Sequence, residues 1–352
     1  MAFNIDSLIR PNVKALKPYS SARDEFSGEA SIFLDANENS FGSPLHKNYN
    51  RYPDPHQRKL KERISQIKGV PPQHIFLGNG SDECIDLLYR GFCNPGVDNV
   101  IICPPTYGMY EVSANINDVE SRKVNLTNEY QLNLDGIAEN TDSNTKLIFL
   151  CSPNNPTGNS LHHKNIDLIL NNFDGLIIID EAYINFSKQK SFIHELTEYP
   201  NLVVMQTLSK AWGLAALRVG MIFSSIPVID VLNKIKPPYN VNQASQELAI
   251  EALNHIEQVN IWTREIVDER EKLRANLQEL SQVQYIYPSD ANFLLVKVDK
   301  PKKIYEALVK KGIIVRDRSR VILCEGCLRI TVGTPQENEI LIKEMEGLKN
   351  KW

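Results

Sequence analysis

A lysine becomes a nucleophile only where burial or neighbouring cations keep part of its amine neutral. Lys210 has that opportunity. It closes Thr207-Leu-Ser-Lys210 directly after the apolar run Leu202–Gln206, and Arg218 follows in LRVG. Two hydroxyls, Thr207 and Ser209, and the Arg218 guanidinium would together suit a phosphate dianion. A second apolar run, Leu176–Asp180, ends in Asp180-Glu-Ala-Tyr183. A carboxylate there is costly unless a cation or donor meets it, and a protonated pyridine nitrogen is one such partner. A third run, Leu147–Cys151, leads into Ser152-Pro-Asn-Asn-Pro-Thr-Gly158, whose side-chain amides could hydrogen-bond a ligand ring. Gly78-Asn-Gly-Ser-Asp-Glu83 precedes the helical IDLLYRGF. Ser81 and Asp82 are N-cap types, and free N–H groups at a helix start attract anions. A Walker loop or dinucleotide fingerprint would need residues that are missing here. Each segment alone also has a plain reading: a capped helix, a turn, a buried salt bridge, a solvated lysine.

The elements that must hold these residues give them joint meaning. Short, uninterrupted apolar runs suit strands buried on both faces, hence a parallel sheet under helices. Pro105–Ala114 and His162–Asn171 supply connections. Ligand groups gather at the carboxyl ends of such strands, where all four segments fall. The last 90 or so residues predict a smaller α+β unit. It holds a helix over about Gln258–Leu280, strand Asn292–Val298, helix Lys302–Lys311, strands Ile313–Arg316 and Leu328–Val332, and a helix after Pro335. The first segment is too short to fold alone and is expected to join that unit. The expected division is an arm and part of the small domain at 1–47, a large domain at 48–262 and the rest of the small domain at 263–352.

A chain of 352 residues suits two domains, and 42% hydrophobic with 23% charged residues is ordinary globular composition. A net charge of −4 argues against nucleic-acid and membrane-surface partners. The N-terminal MAFNIDSLIRPNVKAL lacks the apolar core of a secretory signal, and no apolar run approaches a membrane span, so the expected location is cytoplasmic. Cys324 and Cys327 form a lone CxxC leading into LRITV, expected to be inert; no metal is expected.

The order of phosphate cup, amide, buried acid and lysine resembles the fold-type I pyridoxal-phosphate enzymes over nearly the whole chain. LKPYSSAR, LDANEN, RYPDP, PPTYGMY, SPNNPTG, DEAY, TLSKAWGLAALRVG and CLRITVGT are similar to the histidinol-phosphate aminotransferases, from about Leu16 to Thr334. That resemblance implies an α/β fold: a large domain on a mainly parallel sheet, with a small α+β domain built from both termini. It implies pyridoxal 5'-phosphate as a Schiff base on Lys210, its ring nitrogen held by Asp180 and O3′ by Asn155 and Tyr183. Tyr107 would stack on the ring. The phosphate would rest on Ser81, Asp82, Thr207, Ser209 and Arg218, with Tyr52 reaching it from the other subunit of a homodimer. Arg329, Arg316 and Tyr19 would bind the substrate's anionic end, with Arg318 and Arg320 as alternatives to Arg316. The implied reaction is L-histidinol phosphate plus 2-oxoglutarate giving imidazole acetol phosphate and L-glutamate. Threonine-phosphate decarboxylation, aromatic transamination and a non-catalytic regulator domain are the competing readings.

Overall fold

The computed structural model describes residues 3–19, 32–45 and 47–348. The elements run α1 (Pro11–Ala15), α2 (Arg58–Lys68), β1 (Ile75–Asn79), α3 (Gly80–Phe92), β2 (Asn99–Ile102), α4 (Met109–Ile116), β3 (Glu120–Lys123), α5 (Leu134–Glu139), β4 (Thr145–Cys151), α6 (His163–Asn172), β5 (Leu176–Asp180), β6 (Leu202–Thr207) and β7 (Val219–Ser224). Then come α7 (Ile226–Ile235), α8 (Gln243–Leu253), α9 (Ile256–Gln278), β8 (Val283–Ile286), β9 (Phe293–Val298), α10 (Pro301–Lys310), β10 (Arg316–Asp317), β11 (Cys327–Thr331) and α11 (Pro335–Glu346).

The large sheet has the order β1-β7-β6-β5-β4-β2-β3. Neighbours from β3 to β6 pair in parallel, and β7 runs antiparallel to both β6 and β1. The three apolar runs are its central strands, buried along their lengths. With helices on both faces, they have no solvent side, so alternation never develops. Their register positions the chemistry. Cys151 lies opposite Asp180, and Asp180 opposite Met205, so the segments after β4, β5 and β6 emerge side by side. On the other flank, Thr207 lies opposite Gly220, and Gly220 opposite Gly78. That row brings the β1–α3 turn against the end of β6. It needs a glycine: a Cβ on Gly220 would lie 2.4 Å from the Gly80 carbonyl carbon.

The smaller sheet, β10-β11-β9-β8, is antiparallel, with α9, α10 and α11 contributing to its apolar core. Helix α9 belongs to both halves. Val259 joins the large core, while Leu273 and Leu277 join the small one. Two expectations need correction. The strand expected over Ile313–Arg316 forms only at Arg316–Asp317, because Ile314 is exposed and ladder pairing begins at Arg316. The N-terminal segment also packs elsewhere than expected. Leu8 and Val13 bury into the cluster that includes Leu88 and Leu232, on α3 and α7 of the large domain. Arg10 donates from Nη1 to the Arg90 carbonyl and Lys234 from Nζ to that of Lys14. An apolar pair that α3 and α7 can cover has no need of the C-terminal unit. Of the arm, residues 1–2, 20–31 and 46 lie outside the described residues.

Candidate active site

The strand ends and the smaller sheet enclose a cavity of about 580 Å³. Lys210, Asp180, Tyr183, Ser81, Asp82, Tyr107, Asn155, Thr207, Ser209, Arg218, Arg316 and Arg329 all line it. Tyr19 and Tyr52 do not: both are exposed elsewhere, and the Tyr52 ring stacks on Tyr239 with centroids 4.5 Å apart.

One end is a cup for an anion. Helix α3 starts at Gly80; the Asn79 side chain before it makes no capping bond, and Glu83 accepts only from the Asn79 N–H, ahead of the first turn. Ser81 and Asp82, N-cap residue types, lie in its first turn instead, and Asn79 occupies the cap position. The backbone N–H groups of that turn therefore keep their capacity for an anion. Arg218 donates from Nη2 to Asp82 Oδ2 at 2.9 Å, and the Tyr107 hydroxyl donates to Asp82 Oδ1 at 3.0 Å. Both Arg218 (φ 54°) and Gly80 (φ 80°) hold left-handed backbone, and a Cβ on Gly80 would lie 2.4 Å from Arg218 Nη2. Across the cup the Thr207 hydroxyl contacts the Ser209 hydroxyl at 3.0 Å and accepts from the Ser209 N–H at 3.1 Å.

The middle holds the acid and the base. Asp180 is buried, and its carboxylate accepts from the Tyr110 hydroxyl at 2.6 Å and from the Ala182 N–H at 3.0 Å. Burial pushes its carboxyl upward, and those two donors pull the other way. Lys210 points its amine into the cavity, with Nζ 5.5 Å from the centre of the Tyr183 ring. Desolvation lowers the Lys210 ammonium, and the Arg329 and Arg218 charges add to the effect while Asp180 opposes it. A lysine poised toward its neutral form can act as a nucleophile and as a base. Burial raises the Tyr183 phenol.

The far end is cationic. Arg329 donates from Nη1 to Asn155 Oδ1 and lies 5.2 Å over the Phe293 ring. Its Nε is buried without a hydrogen-bond partner. Arg316 and Arg318 line the same end.

Sequence reasoning missed Tyr110, Arg318 as a wall residue alongside Arg316, and the structural need for Gly80 and Gly220. Tyr110 follows Tyr107 at helical i,i+3 spacing, and that spacing was the available signal. Cys324 and Cys327 are both buried, joined by a backbone turn (Cys327 N to Cys324 O, 2.9 Å), and burial pushes the Cys324 thiol up to about 12 and the Cys327 thiol up to about 11. Such thiols react slowly.

This arrangement fits pyridoxal 5'-phosphate: an uncapped helix start with an arginine and two hydroxyls, a buried acid that needs a cationic partner, and a depressed lysine. The chain matches the family description "Aminotransferase class I and II" over residues 34–345. It is 56% identical over 346 residues to a histidinol-phosphate aminotransferase of Parabacteroides distasonis, covering 98% of this chain and 99% of that one. To the protein of that name from Cytophaga hutchinsonii it is 54% identical, over 97% of this chain and 98% of the other. The crystal structure of the histidinol-phosphate aminotransferase from Clostridium acetobutylicum shares the fold. Its TM-score is 0.80 at 24% identity, over 87% of this chain and 92% of that one.

Proposed function

This chain belongs to the class I and II aminotransferases, and from that premise we propose that it moves the amino group of L-histidinol phosphate to 2-oxoglutarate, yielding imidazole acetol phosphate and L-glutamate. Its cofactor is pyridoxal 5'-phosphate. The observation that carries this reading is a single cavity with an anion site at each end and a buried acid and a depressed lysine between them. When bound, the cofactor supplies a carbonyl that captures the amino group and a ring that accepts the electron pair. Lys210 would hold the cofactor, and its freed amine would accept the proton from the amine-bearing carbon of the donor and return it on the cofactor side. Asp180 would keep the proton on the ring nitrogen, and the Tyr110 hydroxyl, which donates to its carboxylate, would hold that carboxylate in place. Asn155 and Tyr183, with Nδ2 and hydroxyl 3.5 Å apart, would meet the ring oxygen, and Tyr107 its face. The α3 amides at Ser81 and Asp82, with Thr207, Ser209 and Arg218, would take the cofactor phosphate. Arg329 and Arg316 would take the substrate's anionic end.

We further infer a homodimer in the cytoplasm, with Tyr52 reaching the cofactor phosphate from the other subunit and Tyr19 completing the substrate's anion pocket. Among the described residues, Ile32, Leu34, Phe41, Leu45 and Tyr52 all expose apolar surface on one stretch of chain, as an interface segment would. No described helix is long and apolar enough to cross a membrane. The test follows glutamate formed from 2-oxoglutarate with histidinol phosphate, with threonine phosphate and with phenylalanine as donors. Faster turnover of either competitor, or carbon dioxide release from threonine phosphate, would reject the substrate. A monomer at working concentration would reject the assembly.

A further inference from the structure

Arg316 and Arg329 lie directly opposite each other across β10 and β11, so both side chains rise from one face of the small sheet. Like charges at such a pair repel. Arg318 stands two residues past Arg316, where strand period returns its side chain to the same face. Its N–H bonds the Cys327 carbonyl at 2.9 Å, continuing the ladder one step. The intervening acid turns away: Asp317 accepts from the backbone N–H and the hydroxyl of Ser319. All three arginines line the cavity, and among the described residues none of them forms an ion pair. Burial first, and then the Arg316 charge, push the Arg318 guanidinium downward against the opposing Asp317 carboxylate; burial and the Arg318 and Arg316 charges push Arg329 the same way.

Resting on the reading above, we propose that Arg318 is a third substrate-binding arginine and that the Arg316–Arg318–Arg329 face selects a phosphate dianion over a carboxylate. A phosphate monoester brings three terminal oxygens and nearly two charges; a carboxylate brings two oxygens and one charge. A glutamate carboxylate is satisfied by Arg329 with one neighbour. A phosphate can engage all three, so Arg318 discriminates between the two substrates that share this end.

The experiment measures each half-reaction separately with Arg318→Gln and Arg318→Lys holoenzymes. Losing one charge-assisted contact should raise KM for histidinol phosphate about 10- to 100-fold, and KM for glutamate by no more than about 3-fold. Arg318→Lys, which keeps charge without the planar fork, should fall between. Inorganic phosphate, tested as a competitor of glutamate on holoenzyme whose cup is already filled, should lose inhibition in parallel. Equal changes for both substrates, or no change in phosphate inhibition, would overturn the proposal. Wild-type enzyme that ignores histidinol phosphate would instead overturn the substrate assignment, and the inorganic-phosphate arm would still decide the role of Arg318.

Discussion

The two ends of the cavity, both proposed to receive anions, are built in opposite ways. At the cup, Arg218 is already paired with Asp82, and the rest of the site is backbone and hydroxyl fixed by the β1–α3 and β6 turns. At the far end, three guanidinium groups converge, none of them in an ion pair among the described residues, and one buried nitrogen lacks a partner. At the cup the arginine already has an acidic partner; at the far end the buried Arg329 Nε has none. This difference suits a phosphate that stays through turnover at one end and anions that must exchange at the other. Backbone amides give a fixed geometry at no cost in side-chain entropy. Arginines tolerate a carboxylate and a phosphate in the same place.

Arg329→Lys acts on the far end with the largest expected effect. Removing the planar fork while keeping the charge should cost on the order of 2–4 kcal/mol in transition-state binding, roughly 30- to 1000-fold in kcat/KM. Both half-reactions should suffer, while the absorbance of the bound cofactor stays as in wild type. If only the glutamate half-reaction weakens, the anions do not share Arg329, and the far end is two sites.

A control for buried charge sits beside Asp180, outside the cavity. Glu181 is buried and accepts from the Ser191 hydroxyl, the Phe192 N–H and the Gln206 amide. Burial raises its carboxyl from 4.5 to about 7, with those donors opposing. Between pH about 4.5 and about 7 the folded chain therefore holds a proton there that the unfolded chain has released. Stability from this group is present below pH about 4.5 and is lost as pH rises through about 7, by up to about 3 kcal/mol. Glu181→Gln should flatten that fall, measured as denaturation midpoints at pH 5 and pH 8. A slope unchanged by the substitution would show that the desolvation is relieved by motion or water.

How far the sequence could be read follows from the same contrast. Lys210, Asp180 and Thr207 were legible because each closes or follows an apolar run, and runs buried on both faces announce parallel strands and their carboxyl ends. Arg329 was legible inside LRITV, a β-branched strand. Arg318 was less so, since it lies just past a two-residue strand whose pattern is too short to show a face. The Tyr110–Asp180 bond joins residues 70 apart and could not be seen in local spacing. The N-terminal segment was misplaced because Leu8 and Val13 show that something will cover them without showing what.

The smallest effect tests the cup, through Gly80→Ala. Gly80 combines φ of 80° with a Cβ position 2.4 Å from Arg218 Nη2 and 2.9 Å from its Cζ. Left-handed backbone costs a non-glycine residue roughly 1–2 kcal/mol. The guanidinium must also shift by enough to disturb its 2.9 Å contact with Asp82. If the cup is as preorganised as its pairing indicates, the loss should appear in cofactor binding: about 10-fold in Kd, read by titrating apoenzyme with pyridoxal 5'-phosphate. Once cofactor is saturating, KM for both substrates should stay within about 2-fold, because the far end is carried by the other sheet. A large rise in substrate KM at saturating cofactor would mean that the two ends are mechanically coupled through Arg218 and Lys210, and the division between a fixed end and an exchanging end would fail.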